Sequence, residues 1–584
     1  MAKSFNHNFL PTSKQEVEEL GWEQPDVILF SGDAYVDHPA FGAAVIGRVL
    51  EAGGFRVAIV PQPNWRDDLR DFRKLGAPRL FFGISGGCMD SMVNHYTANK
   101  RLRSDDAYTA GNAAGFRPDY AVTVYSRILK KLYPDIPVII GGIEASLRRL
   151  THYDYWQDKL KPSILIESNA DLLVYGMGEH VIRVIARSLQ NGKKIDELTD
   201  IPQTAFVSPS LTGSNEHCQG AVLHSHEDCV KSKKKFAENF CRIEIESNKL
   251  HASRIIEPVG EKYVIVNPPE YRTEEKDIDF AFDLPYTRLP HPRYKGKTIP
   301  AFEMIKYSVN IHRGCFGGCS FCTISAHQGK FIASRSERSI LNEVRQVTQM
   351  PGFKGYLSDL GGPSANMFRM KGRDAGLCEK CSRYSCIYPK MCKNLDNSHS
   401  PLLELYRKVR NIEGIKKVFI GSGIRYDLFM DANGFLSSEH VRYFDELLQY
   451  HVSGRLKVAP EHCALHVLKA MRKPDFKVFI KLKEEFDRID RSKKLRQQLT
   501  PYFISSHPGC TDADMHQLHD NMQQMRFNRL EQIQDFTPTP MTLSSVMYYC
   551  GFDPYTGEKL YVAKNKEEKT RQKKILVSPE FLNL

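Results

Sequence analysis

Short apolar runs alternate with longer amphipathic stretches in two separate parts of this 584-residue chain, and that alternation restricts the fold more than any other feature. In the first part, residues 26–30 (DVILF) form an apolar run closed by turn residues, and residues 39–50 follow with helical spacing and a proline at their start. Residues 55–60 (FRVAIV) and 79–84 read as the next strands, 122–132 as a helix and 136–140 as a strand. Residues 172–175 then read as a strand that leads into a helix over 180–189. Strands separated by helices imply a parallel, doubly wound α/β sheet, whose ligands sit at the carboxyl ends of the strands. Residues 1–200 are therefore read as a Rossmann-like domain.

Two glycine turns leave strands in this domain. Ile140-Gly141-Gly142 leads to a helix from Glu144 to Leu150, and Tyr175-Gly176-Met177-Gly178-Glu179 does the same one unit later. Free N–H groups there would suit an anion, but neither is a full dinucleotide fingerprint, so both read as tight strand-end turns. The polar segment 83–100 (GISGGCMDSMVNHYTANK) has the position of a substrate-facing loop with Cys88 as a hydrogen donor. The favoured reading is a small residue packed beside glycines. Residues 201–299 read as a connector, with a lysine run over 231–235, scattered prolines, and Cys218, Cys229 and Cys241 too widely spaced for a metal knuckle.

The second alternating part, residues 300–555, opens with a strand at 307–311 that delivers the segment 311–322, IHRGCFGGCSFC. Its Cys315, Cys319 and Cys322 bring three thiolates to one centre from one glycine-rich loop. Three ligands on a cubane of four irons leave one iron for a small molecule to chelate. A zinc knuckle would need His312 or His327 as fourth donor. Further strands are expected at 355–360, 417–420, 455–459, 501–505 and 542–547, with helices near 340–350, 439–450 and 478–499. Six such units make a partial barrel whose chemistry sits at the carboxyl ends of its strands.

Between the second and third strands lies an insertion, 361–400, that carries CEKCSRYSCIYPKMC. Cys378, Cys381, Cys386 and Cys392 supply a complete thiolate set for a closed site, and both zinc and a second iron–sulfur cluster accept it. The end of the chain, 556–584, is rich in lysine over 559–574; interspersed acids favour a solvated, partly disordered tail over a phosphate-binding one.

A hydrophobic share of 41% with 26% charged residues is ordinary for a soluble chain of two or three domains. With no apolar run of membrane-spanning length, a cytoplasmic protein with no membrane partner is expected. Fourteen clustered cysteines point to metal ligands in a reducing compartment. The charge of +12 permits a nucleic-acid partner without requiring one.

The three-cysteine spacing, with Phe321 just before Cys322, resembles that of the radical S-adenosylmethionine (SAM) enzymes. Together with LGGPSANMF, SGIRYD, APEH and FTPTP it resembles the YgiQ family of radical SAM proteins over nearly the whole chain. The resemblance implies a cobalamin-binding-like first domain and a partial (β/α)6 barrel. It also implies a [4Fe-4S] cluster with SAM on its open iron, and an electron donor such as flavodoxin or ferredoxin. One electron would cleave SAM to a 5'-deoxyadenosyl radical that takes hydrogen from a substrate, in RNA or protein modification. By the same resemblance Gly361 and Gly362 stand where a Gly-Gly-Glu element meets the SAM amino group. Pro363 replaces the acid, which leaves that contact to the glycine carbonyls or Asp359. Arg425 would fork onto the SAM carboxylate and Glu461 would meet the ribose hydroxyls. A lower-axial-histidine motif, Asp-x-His-x-x-Gly, is not matched by Asp37-His38-Pro39-Ala40-Phe41-Gly42, so no bound cobalamin is expected. The alternative from another class is a zinc-stabilised RNA-binding protein without catalysis.

Overall fold

The apolar runs of the first part form strands at Val27–Ser31 (β1), Val57–Pro61 (β2), Phe81–Ser85 (β3), Val138–Gly141 (β4) and Leu172–Val174 (β5). All five are parallel in the spatial order 2-1-3-4-5, with Val27 opposite both Val57 and Phe81. Every residue of β1 and β2 is buried, because helices cover both faces of such a sheet; hence continuous apolar runs appear instead of alternation. The crossover helices are Gly42–Ala52, Ala121–Leu132 and Glu179–Gln190. Strand order reverses between β1 and β3, which makes their carboxyl ends the switch point where a ligand crevice is expected.

This computed structural model describes residues 9–210, 220–270, 274–527, 530 and 532–577. The chain divides into two units, one made almost wholly of residues up to Lys306 and one starting at Tyr307. The stretch 201–299 is not a connector. Thr204–Ser208 (β6), Gly220–Val222 (β7), Arg254–Val259 (β8) and Lys262–Val266 (β9) extend the first sheet to nine strands, in the order β7-β8-β9-β6-β5-β4-β3-β1-β2. β8 and β9 form a hairpin around Gly260, which places Ile255 and Ile256 against Val266 and Ile265. The lysine run opens the helix Lys233–Ser247, and Cys218 lies outside the described residues.

The second unit contains Ser308–Asn310 (β10), Tyr356–Leu357 (β11), Asp359–Gly361 (β12), Lys417–Val418 (β13), Arg455–Glu461 (β14), Gln498–Ser505 (β15) and Gln532–Asp535 (β16). β10 pairs with β12, β11 with β13, β14 with β15 and β15 with β16, all parallel; a parallel bridge from Ile424 to Val458 joins the third position to the fourth. With β11 and β12 sharing one position, six parallel positions form the partial barrel. Val309, Leu357, Val418, Leu456, Val458 and Phe503 of its strands are buried in one core with Val344, Leu405 and Phe479 of its helices.

Two readings of this unit are corrected. Residues 542–547 are not the sixth strand but the start of a helix, Leu543–Cys550, because the Thr542 hydroxyl accepts the Ser545 N–H (3.3 Å) and caps it. The sixth strand is the polar segment β16, held residue by residue against Tyr502 to Ser505. Nor is the basic end a solvated tail. Lys566–Val577 is a helix with Lys569 and Gln572 buried; the Gln572 amide accepts the Ser506 N–H (2.9 Å) and donates to the Cys510 carbonyl (2.9 Å). The Lys569 ammonium lies over the Tyr548 ring, 5.1 Å from its centre. Among the described residues no helix is long and apolar enough to cross a membrane.

Candidate active site

Strand β10 leads directly into the three-cysteine loop. The Ile311 N–H still donates to the Gly361 carbonyl (2.9 Å), which fixes the loop's origin at the ends of the first two barrel positions. The Cys315 N–H donates to the Gly329 carbonyl (3.1 Å), Gly317 N–H donates to Cys315 Sγ (3.4 Å), and Cys322 N–H donates to the Cys319 carbonyl (3.2 Å). The loop thus curls back on itself with its thiols inward. Burial pushes the Cys322 thiol up to about 12, and the neighbouring Cys319 and Cys315 sulfurs act in the same direction. Burial also raises Cys315, against the pull of the Arg425 guanidinium. A bound metal would reverse this balance, since its charge favours the thiolate.

The donor set fits an open-sited cluster: three thiols come from one loop without a fourth protein donor. His312, one of the two fourth ligands open to a zinc knuckle beside His327, packs its ring under Gly362. Among the described residues no three His, Cys, Asp or Glu side chains converge closely enough to hold a single ion. Every described cysteine is a free thiol.

The loop is anchored by groups whose roles the sequence did not announce. Ser320 N–H donates to the Met471 carbonyl (3.1 Å), and Ser320 Oγ meets Ser544 Oγ (2.8 Å), which in turn meets His507 Nε2 (2.7 Å). His507 Nδ1 lies 2.9 Å from the Pro508 carbonyl, so it carries the proton, and Nε2 accepts from Ser544. That fixes the direction of the relay, with Ser320 donating to Ser544. Burial holds His507 neutral, with its pKa lowered to about 3. Phe321 stands edge-on to the same imidazole, 6.3 Å between ring centres.

The residues assigned to SAM lie around this loop with unequal freedom. Arg425 spends its fork on Asp427, through Nε (3.0 Å) and Nη2 (2.6 Å), while Nη1 donates to Cys319 Sγ (3.0 Å). The expected carboxylate fork is therefore occupied, and Arg425 reaches the cluster thiol instead. Although burial acts to raise it, Asp427 is held below its ordinary pKa by that guanidinium. Asp359 is occupied by Gly421 N–H (2.8 Å), Ser422 N–H (3.1 Å) and the Ser422 hydroxyl. With Gly361's carbonyl engaged by Ile311, the Gly362 carbonyl remains of the expected amino-group contacts. Glu461, at the end of β14, adopts a left-handed backbone (φ 68°) and is buried. Burial raises its pKa, and Lys473 Nζ, 3.7 Å away, opposes the shift.

The strand ends of the first unit are built differently. At the switch point the Gly32 N–H donates to the Ser85 carbonyl (3.0 Å), and a Cβ on Gly32 would run into the Gly86 carbonyl. Arg117, fully buried, spans the gap with ion pairs to Asp33 (2.8 Å) and Asp106 (3.0 Å), and Asp33 also accepts the Cys88 N–H (2.7 Å). The Cys88 thiol turns to the Ala40 carbonyl (3.5 Å). At the glycine turns, Gly176 N–H is taken by Ser146 Oγ (3.0 Å). These contacts tie Asp33, Arg117, Cys88 and the backbones of Gly32 and Gly86 to one another at the strand ends.

The family profile described as Radical SAM N-terminal matches residues 9–308, and a domain of unknown function, DUF3362, matches 531–580. A UPF0313 protein of Bacteroides thetaiotaomicron is 60% identical over 579 residues, covering 97% of this chain and 93% of its own. The UPF0313 protein YgiQ of Escherichia coli K12 is 42% identical over 626 residues, covering 97% and 83%. Among solved structures, the radical SAM methyltransferase TsrM of Kitasatospora setae, with cobalamin and a [4Fe-4S] cluster bound, superposes with a TM-score of 0.50. That match covers 92% of this chain and 83% of TsrM at 13% identity, a likeness of fold.

Proposed function

The chain belongs to the UPF0313 family of radical SAM proteins, and from that premise we propose that it cleaves SAM reductively at a [4Fe-4S] cluster held by Cys315, Cys319 and Cys322. The observation that carries this reading is the loop that turns three thiols inward at the carboxyl end of the first barrel strand. When bound, the cluster supplies one electron to SAM, whose cleavage yields a 5'-deoxyadenosyl radical that abstracts hydrogen from substrate. Arg425 keeps a positive charge on the Cys319 sulfur and is locked there by Asp427, so it stabilises the thiolate and orients the loop. Gly362 offers its carbonyl to the SAM amino group, and Glu461 its carboxylate to the ribose. Phe321 packs the loop against His507. Electrons come from a donor of flavodoxin or ferredoxin type. The net charge of +12 suits an anionic substrate such as RNA, with protein modification the other class.

The test is anaerobic reconstitution with iron and sulfide, followed by reduction with dithionite in the presence of SAM. 5'-Deoxyadenosine should form, and the Cys315/Cys319/Cys322→Ala variant should form none. Equal production by that variant would overturn the proposal.

A further inference from the structure

The four cysteines of the 361–400 insertion take no part in the site above; the chain keeps them in one short closed segment, with no three of their sulfurs yet converged on a single point. Lys371–Gly372 pairs with Leu395–Asp396 in an antiparallel bridge that closes the base of the insertion. Within it, Cys381 N–H donates to the Cys378 carbonyl (3.2 Å) and Cys392 N–H to the Cys386 carbonyl (2.7 Å). Each pair is thereby a tight knuckle. Asn394, two residues past Cys392, donates through Nδ2 to Cys378 Sγ (3.4 Å) and so ties the end of the segment to its start. Arg383 N–H donates to Cys381 Sγ (3.4 Å). A Cβ on Gly372 would collide with Cys378 Sγ, so the backbone there is cut close around that sulfur.

A second observation points to negative charge at this place. Lys330 is 2% exposed and donates through Nζ to the Arg383 carbonyl, and among the described residues no carboxylate pairs with it. A buried ammonium without a counter-ion is costly. Lys330 Nζ also donates to the Asn248 carbonyl (3.3 Å), so it is met by backbone carbonyls rather than by a charge. Four cysteines in so short a segment supply a complete thiolate set for a metal, whose bound form would carry the negative charge that Lys330 lacks.

The insertion also grips the cluster loop. Cys386 N–H donates to the Phe316 carbonyl (3.1 Å), while Ser385 Oγ lies 3.2 Å from that carbonyl and 2.8 Å from the Gly317 carbonyl. Phe316 packs in one apolar cluster with Ile387 and Leu395. A Cβ on Gly318 would strike the Tyr384 carbonyl, so the two backbones touch there.

We infer that Cys378, Cys381, Cys386 and Cys392 bind a metal centre of their own through four thiolates, and that this centre braces the Cys315 to Cys322 loop. The shared chemistry is a closed tetrathiolate set, which zinc or an iron–sulfur cluster satisfies, and Lys330 compensates its net negative charge. The inference does not depend on SAM cleavage.

Metal analysis of the anaerobically purified Cys315/Cys319/Cys322→Ala variant tests it. About four irons with visible absorption, or about one zinc, should remain per chain. Neither metal above background overturns the inference. A readout that needs no variant is alkylation of the full chain by iodoacetamide, located by mass spectrometry. The four cysteines should label at least about tenfold faster after metal removal, and equal labelling before and after overturns the site. For the brace, hydrogen exchange in residues 314–320 should quicken about tenfold when all four cysteines are replaced by serine; unchanged exchange overturns it. A protein that keeps this metal but makes no 5'-deoxyadenosine would overturn the proposed function and leave this inference standing.

Discussion

At the switch point of the first unit a buried arginine bridges two aspartates, whereas at the head of the barrel three cysteines share one loop. Asp33, Arg117 and Asp106 form a buried ion network, and Asp90 pairs with Arg148 nearby. The backbones of Gly32 and Gly86 approach closely beside them. In the second unit burial raises the Cys315 and Cys322 thiols, and Lys330 is buried without a carboxylate among the described residues. Both units present parallel strand ends of the kind that hold ligands. Fold alone therefore does not locate the candidate site; the three-cysteine loop does.

The largest effect that sharpens this contrast is expected from Arg117→Met. It leaves two buried carboxylates unpaired and should destabilise the first unit by about 3–5 kcal/mol. The three tryptophans, Trp22, Trp65 and Trp156, all lie in that unit, so urea unfolding followed by tryptophan fluorescence reads it alone. An unchanged midpoint would break the contrast. Next is Glu257, buried in β8, whose carboxylate accepts the Thr151 N–H (2.8 Å) and whose pKa burial pushes up to about 7. Between the ordinary carboxylate value and that pKa the folded protein holds a proton that the unfolded chain has released. The first unit should thus lose about 3 kcal/mol of stability as pH rises through this window, and Glu257→Gln should remove that loss. Equal pH dependence in both proteins would contradict the assignment.

A smaller effect, about 1 kcal/mol, is expected from Ser544→Ala, which cuts the relay between Ser320 and His507. Iron loss to a chelator should quicken while the tryptophan transition stays in place; a moved transition with unaltered iron loss would reverse the assignment. The smallest expected effect is none. Hydroxocobalamin mixed with the protein should pass away on desalting, and stoichiometric retention would show that the first unit's crevice opens.

Fully buried strands such as β1 and β2 were legible because both faces are apolar, and the three-cysteine loop because its spacing is chemistry in itself. The hairpin of β8 and β9 was hidden in a region that reads as charged and proline-scattered, although Gly260 marks its turn. Residues 542–547 look like a strand by apolarity, and only the Thr542 cap shows otherwise, while the true sixth strand, QIQD, offers no apolar signal. The last helix buries lysine and glutamine on its inner face, through a ring contact and two amide hydrogen bonds, so hydrophobic patterning passes over it. At the site, the sequence suggests a fork from Arg425 to a ligand carboxylate, but Asp427 two residues on claims that fork, a pairing that no spacing rule announces.

Electron paramagnetic resonance of the reduced, reconstituted protein, recorded with and without SAM, tests the central claim most directly. An iron with no protein ligand responds when a small molecule chelates it. The account predicts a cluster signal that SAM alters and that is missing from the Cys315/Cys319/Cys322→Ala variant. Absence of any SAM-responsive cluster signal, or a SAM-responsive one that survives in that variant, would contradict it.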